Sequence, residues 1–140
     1  MREAITRELE EFIATLSEEN QRRFNEGLQK ALVESLFNQT VYSSVIEMFK
    51  EQENIERDLF ANRQCLLRDL QGDPDLEEKL LKNDTRIMIL LDELSERQQV
   101  CLYNLKVPGF RITKNGRDIE LQMMILEFIK ELKCIPYKNV

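Results

Sequence analysis

The stretch LLRDLQGDPDLEEKLL, residues 66–81, decides the fold. Gly72 suits the left-handed position just past a helix end, and Pro74 suits the first turn of a helix, where its missing N–H would have no partner anyway. Asp73, Asp75, Glu77 and Glu78 place negative charge at the positive end of that second helix. QGDPD (71–75) therefore reads as a tight reversal between two helices. Upstream, Val41, Val45, Met48, Gln52, Ile55, Leu59, Asn62 and Leu66 recur at alternating steps of four and three; downstream, Leu80, Asp84, Ile87, Leu91, Leu94, Gln98, Cys101 and Leu105 do the same. Folding about residue 73 sets Leu66 against Leu80, Asn62 against Asp84, Leu59 against Ile87, Gln52 against Leu94, Met48 against Gln98 and Val41 against Leu105. The expectation is an all-α fold with a long antiparallel coiled-coil hairpin over about 41–71 and 75–106, each arm roughly 45 Å long. The polar positions Gln52, Asn62, Asp84 and Gln98 are expected to set register at some cost in stability.

Other parts of the chain supply the bracing. Ile5, Leu9, Phe12 and Leu16 share one helix face, predicting a helix over about 2–16. After Ser17, a natural N-cap, Phe24, Leu28, Leu32 and Leu36 predict a second stretch loosened at Gly27, and Thr40 is placed to cap the first hairpin arm. At the far end, Val107-Pro108-Gly109 stops the second arm, because proline disfavours helix at Val107 and Gly109 permits a reversal. Phe110 and Ile112 alternate with polar residues and are expected to dock on a core. Asn115 then caps a helix over about 116–134 whose apolar residues run from Ile119 to Leu132 and surround most of its circumference, so burial in this chain or against a partner is expected. The organisation predicted is one elongated helical domain over 1–140: N-terminal helices (1–38), hairpin (40–106), corner loop (107–117) and C-terminal helix (118–135).

Composition narrows the function. Of 140 residues 33% are charged, the net charge is −6, and there is no His and no Trp. Absence of His removes every Ser-His, Cys-His and His-ligated metal scheme, and no phosphate-binding glycine loop or nucleophile elbow occurs. Three widely spaced cysteines form neither a disulfide framework nor a zinc site, and fit a reducing, intracellular compartment. Cys65 and Cys101, beside and on the seam, read as small hydrophobes. The segment MREAITRELEEFIATL (1–16) lacks the apolar core of a secretory leader, and no run approaches a membrane span. The expectation is no enzyme, no cofactor and no metal site.

Charge is uneven, −3 over 1–40, −5 over 41–106 and +2 over 107–140. Arg111, Lys114 and Arg117 make a small basic patch, the one feature favouring an acidic partner; the overall negative charge argues against direct nucleic-acid binding. Apolar residues beyond the seam need cover, among them Phe49, Phe60 and Met88 on the hairpin and Met123, Met124, Leu126, Phe128 and Ile129 on the last helix. These are the candidates for a protein interface, with a homo-oligomer among the arrangements they allow.

The block VPGFRITKNGRDIELQMMILEFIKEL (107–132) also carries a resemblance. At Val107, Gly109, Phe110, Thr113, Asn115, Leu121, Gln122, Met123, Leu126, Glu127, Ile129 and Leu132 it is similar to the DiGeorge syndrome critical region and gonadal protein family. Two further segments look like the family's in the same order, at Asp84, Ile87, Leu91, Asp92, Gln98 and Gln99, and at Thr40, Val41, Val45, Gln52, Glu56, Leu59 and Arg63. Family members have a longer central segment where this chain has QGDPD, and Pro108 and Gly116 depart from the pattern. The resemblance implies an intracellular helical protein without enzymatic activity, often nuclear and linked to development. The reading is a non-enzymatic coiled-coil adaptor or scaffold, in nucleus or cytoplasm; the alternative is a chromatin- or nucleic-acid-associated factor acting through Arg111, Lys114 and Arg117.

Overall fold

The computed structural model describes residues 1–135, and these form helices without any strand: α1 (Arg2–Ala14), α2 (Glu18–Arg23), α3 (Glu26–Ser35), α4 (Gln39–Asp69), α5 (Leu76–Asn104) and α6 (Gly116–Lys130). The fold is all-α. The chain divides into two compact units, one of Met1–Ile46 with the segment from Gln99 onward, the other of Glu47–Gln98. The seam continues from Val45 to Met48 and from Gln98 to Cys101, across both boundaries, so heptad spacing carries no mark of where one unit stops.

Local chemistry accounts for the breaks. Ser17 caps α2 by accepting the Asn20 N–H at 3.3 Å. The stretch read as one helix loosened at Gly27 is instead two helices. Asn25 accepts the Leu28 N–H at 2.9 Å and starts α3, leaving Phe24 outside either helix. Gly27 lies inside the first turn of α3, where the missing Cβ costs less than an available cap gains. Asn38, rather than Thr40, supplies the side-chain oxygen at the start of α4, accepting the Thr40 N–H at 3.0 Å.

Gly72 has φ +85°, as the reversal requires. The end of α5 is less legible from sequence. Lys106 sits at φ +63°, its N–H donating to the Tyr103 carbonyl at 3.0 Å while the Val107 N–H donates to the Leu102 carbonyl at 3.1 Å. This Schellman closure puts a lysine where glycine is usual. Gly109 then reverses the chain at φ +84°, and a Cβ there would lie 3.1 Å from Ile125 Cδ1.

The first unit holds nearly all of the core. Ile5 and Leu9 from α1, Phe24, Leu32 and Leu36, Val41 and Val45 from α4, Leu102, and Ile125, Ile129 and Leu132 near the C-terminus are all at most 2% exposed. Phe12 stacks edge-on to Phe24 at 6.3 Å between ring centres and lies 5.5 Å from Phe128, so aromatic contacts join α1, the α2–α3 link and α6. The Glu8 carboxylate accepts the backbone N–H of Lys133 at 2.9 Å and of Cys134 at 3.0 Å, fastening the segment after α6 to α1.

In the second unit α4 and α5 run antiparallel, joined by three side-chain bridges. Gln98 Nε2 donates to Gln52 Oε1 at 3.3 Å, Arg97 lies 3.9 Å from Glu51, and Arg63 forks onto both oxygens of Asp84 at 2.9 and 3.2 Å. Asn62 does not face Asp84; it is exposed, and its neighbour Arg63 takes that place because a guanidinium satisfies both carboxylate oxygens at once. Met48, Ile55, Leu59, Leu66, Ile87 and Leu91 are only half-buried, and Leu94, at 4% exposed, is the one buried apolar residue of this unit. Two helices alone leave each seam residue open on its flanks.

Candidate functional site

Two places gather the residues singled out by sequence: the corner between α5 and α6, and the open surface of the hairpin unit. At the corner, two buried glutamines organise a loop that has no regular structure. Gln99, 5% exposed, donates from Nε2 to the Thr113 carbonyl at 3.1 Å and to Gln122 Oε1 at 3.0 Å, while its Oε1 accepts the Thr113 N–H at 3.2 Å. Gln122, 3% exposed, donates to the Gly109 and Arg111 carbonyls at 3.2 and 3.3 Å. Side-chain amides thus replace the strand partners that the loop backbone lacks. Val107 and Phe110 dock, at 3% and 6% exposed. Ile112, expected to dock with Phe110, is 61% exposed, because the chain bends there and breaks the two-residue alternation.

Asn115 caps α6 as its position predicts, accepting the N–H groups of Arg117 at 2.9 Å and Asp118 at 3.3 Å. The basic patch is largely answered within the chain. Arg111 pairs with Asp118, whose carboxyl is held below its ordinary range first by that hydrogen bond, against a smaller opposing effect of burial. Arg117 lies 3.8 Å from Glu19, and its backbone carbonyl accepts from Arg23, which also approaches Glu120 at 3.5 Å. Lys114 is exposed. The Arg23 bridge from α2 to α6 had no sequence signal, since its partners lie over ninety positions away.

The interface candidates separate by burial. Phe128 and Ile129, offered by sequence as interface residues, are core residues at 3% and 0% exposed. Met124 and Leu126 are half-buried, and Met123 is open at 62%. An apolar pattern nearly all round a helix shows that most faces can be covered without saying by what; here the chain's own residues cover the Ile125–Phe128–Ile129 face. On the hairpin unit Phe49 is half-buried, whereas Phe60 is 65% and Met88 67% exposed. Leu81, Ile89 and Leu90 add further open apolar surface at 67%, 53% and 42%. Cys65, read from spacing as a small hydrophobe, is exposed, and Cys101 is partly covered.

A groove of about 610 Å³ between α1 and α3 is floored by Leu9 and Val33 and rimmed by charges of both signs, including the Arg2–Glu34 and Lys30–Glu26 pairs. Among the described residues no helix is long and apolar enough to cross a membrane.

The comparisons with known proteins concern the same segments. A profile of the DiGeorge syndrome critical region 6 (DGCR6) protein family matches residues 67–139. Gonadal protein gdl of Drosophila melanogaster is 39% identical over 61 residues, covering 44% of this chain and 31% of that protein. Protein DGCR6 of Gallus gallus is 28% identical over 118 residues, covering 72% of this chain and 59% of its own length. The chain thus spans less than two thirds of either relative. No solved structure matches.

Proposed function

Since the chain belongs to the DiGeorge syndrome critical region 6 protein family, we propose that it works as a non-enzymatic adaptor or scaffold, binding other proteins through a coiled-coil hairpin in a nuclear or cytoplasmic setting tied to development. The observation that carries this reading is the hairpin unit's exposed apolar surface at Phe60, Leu81, Met88, Ile89 and Leu90. Such side chains gain from burial at about 25 cal/mol per Å² and are normally sparse where nothing docks. The seam at half-burial supports coiled-coil packing that additional helices complete.

The alternative, a chromatin- or nucleic-acid-associated factor using Arg111, Lys114 and Arg117, has less support. Arg111 and Arg117 are already paired with carboxylates, and the net charge of −6 repels phosphate.

Partner capture by proximity labelling in cells, with the intact chain and a Met88→Glu, Leu90→Glu variant, tests the proposal. Both positions are exposed, so circular dichroism should match the parent while the captured set shrinks. An unchanged set would remove the hairpin from the interaction.

A further inference from the structure

We propose that one flank of the hairpin unit is a self-association surface for a second copy of this chain, with the two hairpins side by side about a two-fold axis parallel to their length. This rests on the interaction-module reading and names the partner. At about 100° per residue, Phe60 and Leu67 of α4 and Leu81 and Met88 of α5 all project to the same side of the plane containing the two arms. They form two rungs, Phe60 beside Met88 and Leu67 beside Leu81, about 10 Å apart along the hairpin. Phe60, Leu81 and Met88 are each about two-thirds exposed. The opposite flank carries the Glu51–Arg97 pair, Asp58 and Arg86; Leu90 is its one large exposed apolar side chain, beside the small Ala61 and Cys65.

Charge chooses the occupant and its direction. Between the two rungs, on the same flank, lies the Arg63–Asp84 fork, cation on α4 and anion on α5. A two-fold axis along the hairpin brings α4 of one copy over α5 of the other. Each Arg63 then meets a second Asp84, each Phe60 a Met88, and each Leu67 a Leu81. Turning the second copy end over end would set Arg63 against Arg63 and lose the match. A patch that is its own complement under one rotation is the mark of an isologous contact. Three side chains with roughly 130 Å² open apiece give on the order of 800 Å² of apolar burial across two copies, approaching with their neighbours the lower bound of specific interfaces. Toward the arms' middle, Glu56 and Asp92 would face the other copy's carboxylates, and there the contact ends.

Sedimentation velocity of the full chain tests this. A monomer–dimer equilibrium with a dissociation constant on the order of tens of micromolar is expected. Phe60→Asp should abolish it with helicity unchanged, and Glu56→Gln with Asp92→Asn should tighten it severalfold. Arg63→Asp and Asp84→Arg chains should each be monomeric alone and form a heterodimer when mixed. A chain monomeric throughout the range, a dimer indifferent to Phe60→Asp, or a mixture that stays monomeric would overturn the proposal. If the chain is monomeric yet its hairpin-dependent partners persist in cells, this inference falls alone; a dimer without such partners leaves it standing and removes the adaptor reading.

Discussion

Replacing Gln99 by leucine should weaken the fold far more than its exterior-looking sequence context suggests. The side chain is 5% exposed and makes three hydrogen bonds, to the Thr113 carbonyl, the Thr113 N–H and Gln122 Oε1. Leucine is of similar volume, so little cavity results, and its burial returns about 1 kcal/mol or more. Against that stand three polar groups stripped of their partner in a place where water enters poorly, each costing about 1–3 kcal/mol. The net loss works out at about 2–8 kcal/mol, a large share of the roughly 5–15 kcal/mol that holds a domain folded. Urea denaturation followed by circular dichroism reads it as a lower midpoint at unchanged slope. Gln122→Leu should behave similarly, and the double replacement should cost less than the two singles together, because each single variant orphans the other amide. A loss under about 0.5 kcal/mol for Gln99→Leu, or strict additivity in the double variant, would refute the claim that this pair holds the corner.

Other outcomes follow from particular groups. Lys106→Gly should stabilise by about 1 kcal/mol in the same assay, because a lysine at φ +63° bears a left-handed backbone that glycine adopts freely. At Glu8 burial opposes ionisation, but the Cys134 and Lys133 hydrogen bonds and the Lys133 charge outweigh it, so the carboxyl titrates below its ordinary 4.5. A depressed folded value means stability that is fully present above 4.5 and lost as pH falls through the folded value; thermal melts from neutral to acid pH should show Glu8→Gln flattening that loss. Burial, then the Glu8 hydrogen bond and charge, push the Cys134 thiol to about 11. Alkylation near pH 8, mapped by mass spectrometry, should therefore modify exposed Cys65 about tenfold or more faster than Cys134, the scarce thiolate being partly offset by its greater nucleophilicity.

Several features were readable because their causes are local. QGDPD, the caps at Ser17 and Asn115, and the antiparallel order of α4 and α5 follow from residues within a turn or two, or from a spacing repeated along the arms. Asn25 shows the limit of local reading. Spacing from Phe24 to Leu36 predicts one stretch loosened at Gly27, yet the Asn25 side chain captures the Leu28 N–H and starts a separate helix there. Lys106 is a harder case, since nothing about lysine advertises a left-handed residue; the paired hydrogen bonds of the helix end hold it there.

The chain's sequence determined by itself that it is helical, where it reverses, and which side chains would be apolar surplus, since helical period, capping and turn chemistry act within a few residues. Tertiary structure alone decided how that surplus was divided. Phe128 and Ile129 became core, while Met88 and Phe60 stayed open, although their patterns read alike. Periodicity records that a face is apolar; which surface covers it depends on segments distant in sequence, such as the Phe12 ring against Phe128. The same holds for Gln99 and Gln122, two positions of the family resemblance to which local pattern assigned no structural part. They became the corner's buried frame because an irregular loop returned to lie on them with its N–H and carbonyl groups unpaired, and burial makes an unpaired amide too costly to leave.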